Sequence, residues 1–340
     1  MRVDMEGAVQ IACLAAGFDW DWTKANVERF CRHAGWQSAR TGPTGTGPEY
    51  ARFRTSLRIA TPIGEVEYDP EFFERRRIHG AEVREIVVYL TDLVDESSPT
   101  GRAFLVDTFA ELAERLSLAF GLPSHRVNDI NLKVVWTLPR AVFFLAIDRQ
   151  DGSIGLRIVN PVYQDHLNRL AREYRGDDDF DDEDFDDDED SEDSLAQSAE
   201  FPSTWPDFVS ALALTLTRLP VDGILALTAS GGDTGVWFEM GWHELQCLVT
   251  WGDGHSQEHH AKAVDLGWST AAPIHHANWE RSISWPAPYR ACEALAEGAV
   301  IILREVLEVA QPTDLQLVAG NDSDSDLMPD VAAFLTASGR

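Results

Sequence analysis

Residues 177–193 read DDDFDDEDFDDDEDSED, and they split this chain into two folded-looking halves. Fourteen of the seventeen positions are acidic, and Phe180 and Phe185 are the only apolar ones. Such a run repels itself and offers too little apolar surface to offset the entropy lost on ordering. It reads as an extended, disordered acidic linker over 177–200. The same run has the charge of a nucleic-acid mimic or of a docking site for a basic partner, with the two phenylalanines as the only support.

Working outward, 340 residues suit two domains of ordinary size. A hydrophobic content of 44%, with 11 Trp and 16 Phe, supplies two cores. The net charge of −29, about half of it in the linker, opposes approach to phosphate backbones and anionic membranes. Nucleic acid and membrane are therefore not expected as partners, whereas a basic partner is electrostatically allowed. Cys13, Cys31, Cys247 and Cys292 are scattered in apolar contexts without CxxC spacing, which suits a reduced cytosolic protein. A Cys13–Cys31 bridge is the alternative that the sequence leaves open. The N-terminal apolar run is too short and interrupted for a membrane span, and its early acids suit no signal peptide, so a cytoplasmic location is expected.

In the first half, 1–176, a helix over 6–16 is expected to stop at a left-handed Gly17. Thr23 reads as an N-cap for a helix whose stripe is Val27, Phe30, Cys31 and Ala34, ended by Gly35. Residues 41–48 (TGPTGTGP) read as a loop. Residues 52–59 alternate, with Phe53, Leu57 and Ile59 on one face and Arg52, Arg54, Ser56 and Arg58 on the other, which predicts a strand. Further strands are expected at Val66 and Tyr68 and over 86–90, 130–137, 141–147 and 154–159, with Asp151-Gly152 as a hairpin. Thr108 and Glu111 read as a capping box for a helix ending at Gly121. Asn160-Pro161 opens a last helix to about Tyr174.

In the second half, 201–320, Pro206 suits the first turn of a helix that Pro220 ends. Strands follow over 224–228, 236–240 and 245–251, and Ser256 caps a short helix that Gly267 stops. A loop with Pro273, Asn278, Trp279, Trp285 and Pro286 precedes a long helix over 288–309. Residues 315–318 add an edge strand, and 321–340 reads as a polar tail. The fold class expected is α+β in two domains, each an antiparallel sheet with helices packed mainly on one face.

The second half resembles the YbjN-like branch of the type III secretion chaperone-like superfamily over 205–317. The residues that carry this are Leu266-Gly267-Trp268, Pro273, Asn278-Trp279, Trp285-Pro286 and the long helix closing in Leu303-Arg304-Glu305-Val306. The first half looks like an actinobacterial domain of unknown function, through Asp19-Trp20-x-Trp22-Thr23 and Gly35-Trp36. The resemblance implies compact α+β domains that bind other proteins in secretion or toxin-related settings, without catalysis. The acidic linker and a His-rich stretch stand outside that pattern.

That stretch, His255-Ser256-Gln257-Glu258-His259, spells H-x-x-E-H, with His260, His275 and His276 nearby. Zinc hydrolysis needs two His one helical turn apart, a Glu for water and a third ligand placed by the fold. Here His255 follows Gly252-Asp253-Gly254 and falls at or before the helix cap, which spoils the i, i+4 geometry. Solvent-facing histidines are the simpler reading, ahead of an adventitious or structural metal site or a peptidase. Ser230-Gly231-Gly232-Asp233 reads as a hairpin turn, since it lacks a phosphate-loop pattern. Trp20, Trp22, Trp36, Trp268, Trp279 and Trp285 read as wedges between helices and sheets, with an exposed aromatic patch as the alternative. Trp237 could point outward from its strand. No catalytic, cofactor or metal residue is assigned.

The leading expectation is a non-enzymatic chaperone-like or adaptor protein, with a secreted effector, toxin or basic protein as partner and an undetermined oligomeric state. The first alternative is an immunity-type inhibitor of a basic toxin, favoured by the charge. The second is a zinc hydrolase through His255, Glu258 and His259.

Overall fold

Asp4 opens the first helix, α1 (Met5–Ala16), by accepting the Gly7 N–H at 3.1 Å. The computed structural model from which this is read describes residues 1–42, 49–78, 80–95, 98–128, 132–148, 152–176, 201–229, 234–250, 257–270 and 279–321. The chain divides into two compact units. The first comprises Met1–Asp95, Glu111–Arg126 and Lys133–Glu189, and the second Glu96–Ala110, Val127–Leu132 and Asp190–Arg340. The acidic run at 177–200 and the tail at 322–340 lie outside the described residues, as do the turns at 230–233 and Asp151.

In the first unit, Gly17 is not left-handed as expected. It sits at φ −84°, because the Phe18 N–H closes back on the Ala15 carbonyl and keeps the turn right-handed. Thr23 caps α2 (Lys24–His33) as its hydroxyl suggested, burying Val27, Phe30 and Cys31. Gly35 then leaves at φ +71°, a left-handed exit that favours glycine.

Eight strands form one antiparallel sheet: β1 (Gln37–Gly42), β2 (Glu49–Arg54), β3 (Ile63–Tyr68), β4 (Val83–Tyr89), β5 (His125–Asn128), β6 (Leu132–Leu138), β7 (Ala141–Asp148) and β8 (Ser153–Val159). Their order is β1-β2-β3-β4-β8-β7-β6-β5. The strand expected over 52–59 is cut short. Burial alternates through Ile59, but the ladder ends at Arg54, because the Thr55 N–H turns to the Pro62 carbonyl and the Arg58 N–H to Asp4.

The short helix α3 (Pro70–Arg75) and strands β1 and β5 were not expected. The helix α4 (Pro99–Phe120) starts well before the Thr108–Glu111 box. Ser98 accepts the Gly101 N–H at 3.0 Å and Pro99 fills the first turn, so Thr108 lies mid-helix. Asn160 caps α5 (Pro161–Gly176) through the Val162 N–H at 3.0 Å.

Ring contacts place α2 against Phe53 through Trp36, and α4 against Phe143 through Phe120. Both targets share the face that carries Val66, Ile86 and Ile158. On the opposite face Tyr163 of α5 packs on Val135, Val142 and Val159.

In the second unit, Thr204 caps α6 (Trp205–Leu216), with Pro206 in its first turn. Its sheet holds β9 (Gly223–Ala229), β10 (Gly235–Met240), β11 (Glu244–Thr250), β12 (Ser269–Thr270), β13 (Trp279–Ser284) and β14 (Leu315–Asn321) in the order β12-β13-β11-β10-β9-β14. Strand β13 replaces part of the expected loop. Trp279, Arg281 and Ile283 alternate along it, a period that the charged Arg281 hides from a hydropathy reading.

The helix α7 (Gln257–Asp265) ends at Gly267, φ +82°, and α8 (Tyr289–Glu305) buries Leu295, Gly298, Ala299, Ile302 and Leu303. The segment Glu96–Ala110 counts with this unit. Arg102 donates to the Thr217 hydroxyl and carbonyl, Phe109 meets Trp285 edge-on, and Asp107 accepts the Tyr289 N–H. The α+β class, with two antiparallel sheets and their helices, is as expected.

Candidate functional site

The H-x-x-E-H pattern is the sharpest chemical expectation, and α7 decides its geometry. The helix begins at Gln257, so Glu258 and His259 occupy its first turn, while His255 lies before it and outside the described residues. His260 packs edge-on against Trp279 at 4.9 Å between ring centroids. Among the described residues, no group of three His, Cys, Asp or Glu side chains is placed to hold a metal ion. His275 and His276 also fall outside them.

Three of the four thiols are unsuited to nucleophilic work. All four are free. Burial pushes Cys31 and Cys292 up to about 12 and raises Cys247 as well, so none of these three forms a thiolate at neutral pH.

The strongest cluster of charge in the first unit is equally self-contained. The Arg84 guanidinium lies over the Phe72 and Tyr163 rings and pairs with Glu67 and Asp69. Glu85 beside it bonds Arg157; burial raises its carboxyl, and the guanidinium works against that. Each cation here is paired with an acid of the cluster, which is the pattern of a structural network.

The six tryptophans singled out in the sequence are all buried, between 3% and 8% exposed, so their rings wedge rather than form an exposed aromatic patch. Trp20 stacks on Trp22 at 4.9 Å and donates to the Ala15 carbonyl, while Trp22 donates to the Arg140 carbonyl.

What remains is the face of the second sheet opposite Phe238. Cross-strand register sets Val318, Ala226, Trp237, Leu248 and Glu280 in one row. Ala226 and Leu248 are buried, Trp237 is half-buried at the centre of the row, and Val318 is 59% exposed at its rim. Ile224, Glu239, Gln246 and Ser282 make the neighbouring row. An apolar strip with an aromatic centre and polar margins can receive an extended chain through alternate side chains. At its edge, β14 has a neighbour on one side only among the described residues. The outward aim of Trp237 was legible from VWFEM; the row was not, because it needs strand register.

Comparison with known families gives a match to each half. Residues 6–160 match a family of unknown function, DUF6301. Residues 198–320 match the family described as T3SS (YopN, CesT) and YbjN peptide-binding chaperone 3. Comparison with curated proteins and with solved structures found no match. Among the described residues, no helix is long and apolar enough to cross a membrane. The chain is thus similar in its first half to a family whose function is unknown, and in its second half to the YbjN-like peptide-binding chaperones.

Proposed function

We propose that the protein is a non-enzymatic, chaperone-like binder of polypeptide segments, acting through the domain at 201–320. The observation that carries this reading is the match of residues 198–320 to peptide-binding chaperones. The row centred on Trp237 supports it, since the half-buried Trp237 and the exposed Val318 offer apolar contacts to an extended segment. On this reading residues 1–176 form a second domain, 177–200 tether the two, and 321–340 form a tail. The free thiols suit the cytoplasm.

The test uses the full-length protein and fluorescein-labelled extended peptides rich in aliphatic residues, followed by anisotropy. Trp237→Ser is expected to weaken binding by about tenfold or more while thermal unfolding stays unchanged. Peptides that bind equally well to wild type and Trp237→Ser would remove the row from the account. Failure to bind any peptide would remove the function.

A second reading rests on the net charge of −29. It makes the protein an inhibitor that covers a basic toxin, and it requires one tight complex with a basic protein whose association rate falls steeply with salt.

A further inference from the structure

Trp268 follows Gly267 at the end of α7 and is 3% exposed. Its indole N–H is buried and has no hydrogen-bond partner among the described residues. A buried donor left unpaired is costly, and each such group in a folded protein calls for an explanation.

Arg281 supplies a second unusual group. It stands half-buried on β13, opposite Cys247 and on the side of the sheet that faces α8. Its charge reaches the Cys247 thiol, working against the burial that raises it. The adjacent Glu280 pairs with Leu248 and Ser269 on the other face of the strand. Among the described residues, no hydrogen bond or ion pair holds the Arg281 guanidinium.

The two groups meet over one glycine. A Cβ on Gly298 of α8 would lie 2.8 Å from Nη1 of Arg281 and 3.8 Å from Cζ2 of Trp268. Cζ2 adjoins the ring carbon that bears Nε1, so the indole edge next to the N–H borders the same place as the guanidinium. Glycine inside a helix is unfavourable relative to alanine, yet here it keeps open the place that the guanidinium occupies.

We propose that Arg281 and the Trp268 indole N–H form a carboxylate-binding notch beside α8. A planar guanidinium fork and one further N–H match the two oxygens of a carboxylate. A monoanion is also favoured over a phosphate dianion by the protein's net negative charge. The peptide-binding reading above supplies only the source of that carboxylate: an acidic side chain or a chain's terminal α-carboxylate.

The test needs no peptide at first. The Trp268 indole signal of the full-length protein, assigned by its loss in Trp268→Phe or by its shift in Arg281→Gln, is followed in 1H–15N spectra. Acetate is titrated at constant ionic strength, with chloride as control. A saturable shift with acetate alone is expected, and Arg281→Gln and Gly298→Ala should each weaken it by about tenfold. Because Gly298→Ala also favours the helix, lost binding without lost thermal stability separates a ligand site from a packing role. No saturable acetate shift, or one that survives Arg281→Gln, overturns the notch.

Labelled peptides then identify the source. Amidating the C-terminus tests the terminal carboxylate, and internal Glu→Gln tests the side chain; a loss in either arm supports the proposal. Peptide binding insensitive to both overturns it. Acetate binding without any peptide binding leaves the notch standing and removes the peptide reading instead.

Discussion

Arg102 has no exposed surface, and its guanidinium donates to the Thr217 hydroxyl and carbonyl at 3.3 Å each. Arg102→Ala would strand that carbonyl and open a cavity, so a loss of about 3 kcal/mol is expected, read as a lower urea midpoint for the second unit. Asp4 gives a pH-dependent counterpart. Its carboxylate accepts from the Gly7 N–H and from the Arg58 backbone and guanidinium at 2.8–3.1 Å. The Arg58 bonds hold its carboxyl well below the usual range, against a burial that pushes the other way.

A folded-state value below the unfolded one near 3.9 adds stability that is fully present above about pH 4 and lost as pH falls through the folded value. Arg58 is largely exposed, so solvent screening limits the gain and the capping bond sets its size. Asp4→Asn should cost about 1 kcal/mol at neutral pH. Its gap from wild type should close in thermal unfolding as the solution is made strongly acidic. Neither residue was legible in the sequence: an Arg inside a helix and an Asp before one look like ordinary surface until their distant partners are known.

At the scale of elements, Gly152 makes the sharpest demand. It turns β7 into β8 at φ +58°, and a Cβ there would overlap the Val94 carbonyl oxygen. Gly152→Ala should therefore destabilise the first unit by roughly 3 kcal/mol or leave it unfolded, as circular dichroism would show. The hairpin itself was readable from Asp151-Gly152 between alternating runs, as were α2 from Thr23 and α5 from Asn160-Pro161. Local chemistry decides such elements. Where a distant partner decides, sequence reading failed: Arg58 leaves the strand for Asp4, and β13 exists because β11 pairs with it. The start of α4 was missed for another reason. The box at Thr108 and Glu111 was read as the start, whereas Ser98-Pro99 begins the helix.

For the whole molecule, charge is the dominant property. Replacing the acidic residues of 177–193 by Ser and Gly removes about half of the net −29. Association with a basic partner should then slow by about tenfold at low salt, and stopped-flow rates for the two proteins should converge as salt is raised. The α+β class with two antiparallel sheets was readable from the order of helix and strand signals. The row centred on Trp237 and the notch at Gly298 were not, since each joins residues from three or more elements.

The edge strand β14 has one more consequence. From Leu315 to Asn321 it carries neither a charge nor a proline, and Val318 stands exposed on it. Natural sheets usually guard such rims with lysine, proline or a bulge against unwanted pairing. A rim left open among the described residues is open to copies of the protein as well as to visiting strands, so it sets a ceiling on how concentrated the protein can become before those copies begin to pair.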